Sequence, residues 1–241
     1  MNILAIETTG AEASVAIINE QGQVIVETST QKLNHLQHLM PMVEVLLEKS
    51  RLVIGDLSYI AVSEGPGSFT GIRIGVSSAR ALAQVLELQT ISVPTLKSLA
   101  YNVPEYKGII CPIFDARRSQ VYGAAYHWSR TGICEEIVAG DAYHIDDLLF
   151  KLKVSVEQKE ITFFGDGIDS YKHQILQWQN ISLNDDMRIL FANDGVKLQK
   201  SSSIAILALE LYKAGNIKNF IDLKPVYMRK AEAERKLEEK G

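Results

Sequence analysis

The pattern of the first thirty residues occurs twice in this chain, and that repeat constrains the fold more than any other feature. An apolar strand ending on Glu7 leads through a turn into a second strand and then into a hairpin turn at Gly22. From residue 108 the same order returns, with a strand ending on Asp115 and a hairpin turn at Gly132. The offsets, 108 from Glu7 to Asp115 and 110 from Gly22 to Gly132, are nearly equal. A repeat of this length indicates a duplicated domain rather than a solenoid.

Each copy begins as an antiparallel meander and continues into helices, which predicts an α/β fold of two β-meander-plus-helix halves. Such halves are typical of the actin-like ATPase architecture, also described as ASKHA or ribonuclease H-like. The second copy follows the pattern less completely, so we expect its half to be reduced. The predicted domains are residues 1–104, which contain two unusually apolar helices, and residues 105–241, which end in a charged tail that we expect to be exposed.

The composition indicates a soluble globular protein of the cytoplasm. The 241 residues are 46% hydrophobic and have a net charge of −4, which gives no electrostatic footprint for nucleic acid or for an anionic membrane. Any RNA would therefore be held by another molecule. Cys111 and Cys134 lack zinc-ligand spacing and suit a reducing compartment. The N-terminus lacks a basic signal-peptide region, and no apolar run approaches the roughly 18 residues of a membrane span.

Two predicted helices, at about residues 34–48 and 70–87, have more apolar surface than one core contact requires. A surface helix needs an apolar arc of little more than about 100°. The second helix is polar over only about 80°, so it is either internal to its domain or covered by a second molecule. The partner interpretation assigns the interface to Leu36, Leu39, Met40, Val43, Leu46, Leu47, Ile72, Gly75, Val76, Ala79, Leu82, Ala83 and Leu86.

The glycine-proline loop before the second helix is a candidate nucleotide site. Exposed amides at the start of a helix can bind phosphate, but the loop lacks a P-loop Lys-Ser/Thr and the G-x-G-x-x-G spacing, which favours a structural turn. Glu7 and Asp115 lie at strand ends where actin-like ATPases hold magnesium and phosphate; the alternative is that both are vestigial. The candidate nucleotide or phosphate contacts are Glu7, Thr8, Gly65, Gly67, Ser68 and Asp115.

Two further residue pairs have weaker claims to a function. His35 and His38 could ligate a metal, but no third ligand is near them in the sequence, so no metal site is predicted. Arg117 and Arg118 could meet phosphate or the acids of a partner, although arginines in a hairpin turn are more often solvated. No Ser-His-Asp or Cys-His arrangement can be assembled, so the sequence predicts no catalytic residue and no peptidase activity.

Five motifs, in order along nearly the whole chain, resemble the TsaB (YeaZ) family. They are Glu7-Thr8-Thr9, residues 35–41, the glycine-rich residues 64–75, residues 115–118 and residues 225–229. The resemblance implies an actin-like fold in a subunit that is not itself the catalyst. Family members pair with TsaD, which transfers a threonylcarbamoyl group to an adenosine beside the anticodon of tRNAs reading codons that begin with adenine. An ATPase, TsaE, joins the pair.

The same resemblance implies how such a subunit is used. The first two helices dock onto TsaD, and the chain alone self-associates as a homodimer through the same surface. The tRNA is reached only through the complex. The isolated chain needs no cofactor, although ATP or ADP can lie at the shared interface.

One departure from the related catalytic family supports a scaffold role. That family carries a paired-histidine metal site at positions that correspond here to Thr95 and Leu99. Neither side chain offers an imidazole or a carboxylate, so this metal site cannot form. The alternative function is a stand-alone actin-like ATPase or kinase that uses Glu7 and Asp115 with magnesium.

Overall fold

The first half of the chain forms a five-stranded mixed sheet. The computed structural model describes residues 1–29, 35–155, 160–182 and 187–228. The strands of the first sheet are β1 (Asn2–Glu7), β2 (Ser14–Asn19), β3 (Val24–Thr28), β4 (Tyr59–Gly65) and β5 (Gln89–Pro94). Their spatial order is β3-β2-β1-β4-β5, with antiparallel pairing from β3 to β1 and parallel pairing from β1 to β5. β1 and β2 are almost wholly buried, as expected for strands covered on both faces.

The second sheet repeats the topology of the first. Its strands are β6 (Ile109–Arg117), β7 (Gln120–Trp128), β8 (Cys134–His144), β9 (Glu160–Phe164) and β10 (Arg188–Phe191). Their order, β10-β9-β6-β7-β8, is that of the first sheet when β6 is aligned with β1. The two meanders are antiparallel, and β9 runs parallel to both β6 and β10. The predicted duplicated α/β fold is therefore confirmed.

The second half is complete, and the expectation that it would be reduced is wrong. Helices α1 (His35–Ser50), α2 (Phe69–Val85) and α3 (Thr95–Ala100) follow the first meander. Helices α4 (Ile145–Ser155), α5 (Gly167–Ser182) and α6 (Ser201–Lys213) occupy the corresponding positions after the second. The missed element is β10, whose four residues give too short an apolar run to identify a strand.

The two halves exchange their last helices, which produces five layers. α3 packs against β6 and β7 of the second sheet, and α6 packs against β1 and β2 of the first. A shared core lies between the sheets, while α1 and α2 cover the outer face of the first sheet and α4 and α5 that of the second. The predicted boundary between residues 104 and 105 lies in the segment between α3 and β6. The division into two domains at this boundary stays a prediction. The exchanged helices α3 and α6 each pack against the other half.

Some predictions concern residues outside the described ranges. They include the start of the first helix at residue 34 and the charged tail beyond residue 228. Within the described ranges, none of the helices has both the length and the apolar character that crossing a membrane requires.

Candidate functional site

The turn after β1 encloses the Glu7 carboxylate inside the first half. Glu7 is fully buried, and its Oε1 accepts hydrogen bonds from the amide and the Oγ1 of Thr9. Burial raises the pKa of Glu7, and the hydrogen bonds oppose that rise. The other oxygen, Oε2, has no hydrogen-bond partner among the described residues. Glu7 does not line the space between the halves, contrary to the expectation that it could hold magnesium there.

Thr8 joins the turn after β1 to α2 through a hydrogen bond and close packing. It is fully buried, and its Oγ1 donates a hydrogen bond of 2.8 Å to the carbonyl of Gly71. A Cβ added at Gly71 would lie 2.0 Å from the backbone oxygen of Thr8, and one at Gly75 would lie 2.4 Å from its Oγ1. Both glycines therefore permit close approach within the chain. Thr8 packs against α2 and does not reach the space between the halves.

The glycine-proline loop uses its amides for contacts within the chain. The amide of Gly65 donates to Thr95 Oγ1 over 3.1 Å, and the amide of Ser68 donates to the carbonyl of Thr9 over 2.8 Å. The Ser68 hydroxyl accepts from the amide of Gly71 and caps α2. Because protein groups already occupy these two amides, the geometry favours a structural turn over a phosphate-binding loop.

A cleft of about 460 Å³ opens between the two halves. Three of the six predicted nucleotide contacts line it, Gly67 and Ser68 from the first half and Asp115 from the second. The other three do not: Glu7 is enclosed by its own turn, Thr8 packs against α2, and Gly65 lies beside Val226. The remaining residues of the lining are Thr9, Gly10, Ala11, Phe114, Arg117, Tyr122, Asp166 and Gln199.

Asp115 is held by its own half of the chain. Its Oδ1 accepts from the amide of Arg117 over 2.8 Å, and its Oδ2 lies 3.4 Å from Arg117 Nη1 and accepts from Ser170 Oγ. Arg117 and Arg118 both have positive φ angles, 65° and 53°, in the tight turn between β6 and β7. The Arg117 side chain is largely exposed, so its contact with Asp115 is a surface ion pair at the edge of the cleft.

Asp166 and Gln199 are among the cleft residues that sequence reasoning missed. Asp166 follows β9 and accepts a 3.2 Å hydrogen bond from the amide of Asp115. Desolvation raises the pKa of Asp166 although part of its side chain stays open to solvent, and the charge of Asp115 adds to the rise. The parallel pairing of β6 with β9 was the available signal, because parallel strands end at the same edge. Gln199 Nε2 donates a 3.4 Å hydrogen bond to Thr9 Oγ1. The two residues are far apart in the chain, so no local sequence pattern indicates this contact.

The structure corrects most of the predicted partner interface. The apolar arc of α2 is wide because β4 and α1 both cover it, so the alternative of an internal helix describes its inner face. The predicted interface residues that are buried in the core of the first half are Leu39, Val43, Leu46, Leu47, Ile72, Gly75, Val76, Ala79 and Ala83. These side chains are unavailable to a partner while the first half keeps this packing.

Apolar and small side chains nevertheless remain on the outer sides of α1 and α2, beside the exposed Arg73, Arg80 and Gln84. Leu36 is 69% exposed and Met40 is 40% exposed, one helical turn apart on α1, while Leu82 and Leu86 are half-buried. Val85, which was not predicted, is 81% exposed at the end of α2. The rest of the outward surface of α2 includes Ile74, Ser77, Ser78 and Ala81. We call this surface, from Leu36 to Met40 on α1 and from Ile74 to Val85 on α2, the outer helical face.

The described residues contain no group of three or more His, Cys, Asp or Glu side chains placed to hold a metal ion. Thr95 accepts a hydrogen bond from Gly65, and Leu99 is fully buried in the shared core. His38 lines a small groove between β3 and α1, and the side chain of His35 lies outside the described part of the structure.

The C-terminal end of the described chain contacts the end of β4 and the start of α2, and its side chains from Lys224 to Met228 stay exposed or half-buried. The amide of Val226 donates to the carbonyl of Glu64 over 2.8 Å. The ring of Tyr227 stacks on Phe69 with centroids 4.8 Å apart, and its hydroxyl accepts from Arg73 Nε over 2.9 Å. Val226 and Tyr227 each remain 40% exposed, so this segment also contributes to the surface near the start of α2.

Two interlocked halves of equal topology, with a cleft between them, place the chain in the class of actin-like folds. A solved structure described as YeaZ from Pseudomonas aeruginosa superposes with a TM-score of 0.75 over 94% of this chain and 99% of its own, at 22% identity. The chain also matches the family model described as "TsaD: tRNA N6-adenosine threonylcarbamoyltransferase" over residues 14–237.

Curated relatives give the narrower identification. The chain is 34% identical to "tRNA threonylcarbamoyladenosine biosynthesis protein TsaB" of Bacillus subtilis (strain 168), over 98% of this chain and 97% of the relative. It is 28% identical to the protein of the same name from Escherichia coli (strain K12), with 98% of each chain covered. This chain belongs to the TsaB (YeaZ) family.

Proposed function

We propose that this chain is a non-catalytic partner subunit in the formation of threonylcarbamoyladenosine in tRNA, and that it acts by pairing with TsaD. The observation that carries the proposal is the outer helical face, on which Leu36, Met40 and Val85 are exposed together with small residues of α2. Exposed apolar surface of this kind marks a protein interface, and small residues let a second helix approach closely. The names of the curated relatives supply the pathway.

Three features of the site support a role other than catalysis. Glu7 is enclosed by the turn that it stabilises, so it is withdrawn from the cleft. The amides of Gly65 and Ser68 are already used within the chain. Thr95 stands where the related transferases carry a metal-binding histidine, and a threonine hydroxyl is a poor substitute for imidazole.

The proposal implies the following assembly. TsaD covers the outer helical face, and TsaE joins the pair. In the absence of TsaD, a second copy of this chain covers the same face and forms a homodimer. ATP or ADP can lie at the shared interface, and the chain alone requires neither. The assembly works in the cytoplasm, where its tRNA substrate is found.

The test is a charge placed on the outer helical face. Val85→Glu puts a carboxylate at an 81% exposed position of α2, so it should leave folding intact. When a partner covers this position, the carboxylate loses its water. Burying a carboxylate that no cation pairs with costs about 2 kcal/mol or more. We therefore expect the affinity for TsaD, measured by isothermal titration, to fall by roughly thirtyfold or more.

Val154→Glu is the matched control. Val154 is 65% exposed on α4, which covers the second sheet, and like Val85 it lies at the end of a helix. It should bind TsaD as the unchanged chain does. Equal losses in both variants, or no loss in Val85→Glu, would remove the outer helical face as the site of pairing.

A stand-alone ATPase or kinase is the second candidate, and the cleft between the halves is the observation in its favour. Asp115 and Asp166 face a space of about 460 Å³, although Glu7 does not contribute to it. This candidate predicts ATP turnover by the purified chain without a partner, lost in Asp115→Ala.

A further inference from the structure

A groove of about 550 Å³ lies on the second half of the chain, and the proposed pairing makes no use of it. It runs between the segment that follows α3 and the hairpin that joins β7 to β8. Its walls carry two aromatic rings, Tyr106 and Trp128, and three charged side chains, Glu105, Lys107 and Arg130. None of its lining residues belongs to α1 or α2.

Both rings are fixed in place before any ligand arrives. The hydroxyl of Tyr106 donates a 2.5 Å hydrogen bond to Glu160, and the indole nitrogen of Trp128 donates to the carbonyl of Ala100 over 3.3 Å. Trp128 also meets Tyr101 edge to face, with ring centroids 5.0 Å apart. Each ring is half-buried, so part of its surface is left for the groove. A planar ligand could stack there without a large loss of side-chain entropy.

The cations of the groove are exposed and available. Within the described part of the chain, neither Lys107 nor Arg130 is paired with a carboxylate, and Glu105 is the one acid in the lining. Arg130 lies at the tip of the hairpin, which is closed by bonds between Ser129 and Ile133 in both directions. The lining therefore has a net positive charge on a chain whose overall charge is −4.

We propose that this groove binds an unpaired nucleotide of single-stranded RNA, with the base against Trp128 and Tyr106 and the phosphates on Lys107 and Arg130. Aromatic side chains next to cations are the common means of holding unpaired nucleotides, because every base has a π-face and every linkage a negative charge. A free mononucleotide has the same chemistry, and the test separates the two sources. The inference does not depend on pairing with TsaD, since the chain alone contains the whole groove.

The two cations also predict how binding responds to salt. For single strands, the logarithm of the affinity falls with the logarithm of salt concentration by about 0.7 for each phosphate neutralised. Two phosphate contacts therefore give a loss of about 25-fold for a tenfold rise in salt, and one contact gives about fivefold. Binding should thus be weak at high salt.

The first measurement uses the fluorescence of Trp128 itself. The chain has two tryptophans, so Trp178→Phe leaves Trp128 as the only indole. This chain is titrated with a short unstructured oligoribonucleotide and, separately, with AMP. A base stacked on Trp128 should quench its emission in a saturable manner. Stronger binding of the oligoribonucleotide identifies RNA as the source, whereas equal binding of AMP would overturn RNA in favour of a free nucleotide.

The second measurement uses charge variants of the otherwise unchanged chain and the anisotropy of a labelled oligoribonucleotide. Arg130→Glu should weaken binding by about tenfold and reduce the salt effect to about fivefold. Glu105→Asn should strengthen binding, and asparagine suits the positive φ of 62° at that position. Lys153→Glu, an exposed charge reversal on α4, is the control and should change little.

The proposal is overturned if Trp128 is not quenched, or if Arg130→Glu and Lys153→Glu weaken binding equally. Either result would leave the pairing with TsaD untouched, because the groove and the outer helical face share no residue.

Discussion

Glu7 is an ionisable side chain shut off from water, and this has a measurable consequence. It is fully buried, one of its oxygens has no partner among the described residues, and burial raises its pKa above the ordinary value of 4.5. The folded chain therefore holds this proton more tightly than the unfolded chain does. The stability due to the protonated form is complete below about pH 4.5 and is lost as the pH rises through the folded pKa.

Glu7→Gln should remove this pH dependence, because glutamine stays neutral and can still accept the hydrogen bonds of Thr9 through its carbonyl oxygen. The free energy of unfolding of the variant, relative to the unchanged chain, should rise as the pH increases above about 4.5 and then level off. Urea denaturation over a series of pH values measures this difference. Glu20→Gln, at an exposed hairpin position, controls for the loss of one carboxylate. A difference for Glu7→Gln that does not change with pH would contradict the burial of an ionisable group here.

At the scale of elements, the approach of α2 to the turn after β1 explains the glycines of the most distinctive motif in the chain. Gly71 and Gly75 lie one helical turn apart, and both face Thr8. The sequence placed Gly75 in a partner interface, whereas both glycines are buried within this chain. They make room instead for a threonine of the same chain, which pins the start of α2 through the carbonyl of Gly71.

Gly75→Ala should therefore destabilise the chain even though alanine is the better helix former. Its Cβ would lie 2.4 Å from Thr8 Oγ1 and 3.2 Å from Val62 Cγ2. We expect a net loss on the order of 1–2 kcal/mol in the free energy of unfolding, after the gain in helix propensity. The loss should shrink in a Thr8→Ala background, where Oγ1 is absent.

Gly55→Ala is the matched control for this prediction, because a Cβ at Gly55 meets nothing within 4 Å. It should change the stability by less than about 0.5 kcal/mol. If Gly75→Ala were as mild as Gly55→Ala, the close packing of α2 on Thr8 would be wrong.

Hydrophobic periodicity identified α1 and α2 but not the destination of their apolar surfaces. Leu39 and Leu36 are both leucines of α1, three residues apart, yet one is 1% exposed and the other 69%. The helical wheel gives the width of an apolar arc, and it does not say how many neighbours cover that arc. For α2 the neighbours are β4 and α1, so internal packing accounts for the buried residues Ile72, Gly75, Val76, Ala79 and Ala83 but not for Leu82 and Leu86.

At the scale of the whole molecule, the repeat made the fold predictable. The strands predicted to end on Glu7 and Asp115 correspond to β1 and β6, which are the central strands of two sheets with the same order. The sequence predicted only some of the cleft residues, because residues at corresponding positions of the repeat need not have the same surroundings. Asp115 faces the cleft beside Asp166, whereas Glu7 faces inward. The exchange of α3 and α6 had no signal in the sequence either, since it depends on packing between the halves.

The central claim is that this chain acts through a partner and not as an ATPase. The most direct measurement is an isothermal titration of the chain with TsaD of the same organism, with a titration of ATP into the chain alone beside it. We expect saturable one-to-one binding of TsaD and no heat or turnover with ATP. The contrary result, ATP turnover by the isolated chain that Asp115→Ala abolishes and no binding of TsaD, would make the cleft the functional site and the outer helical face incidental.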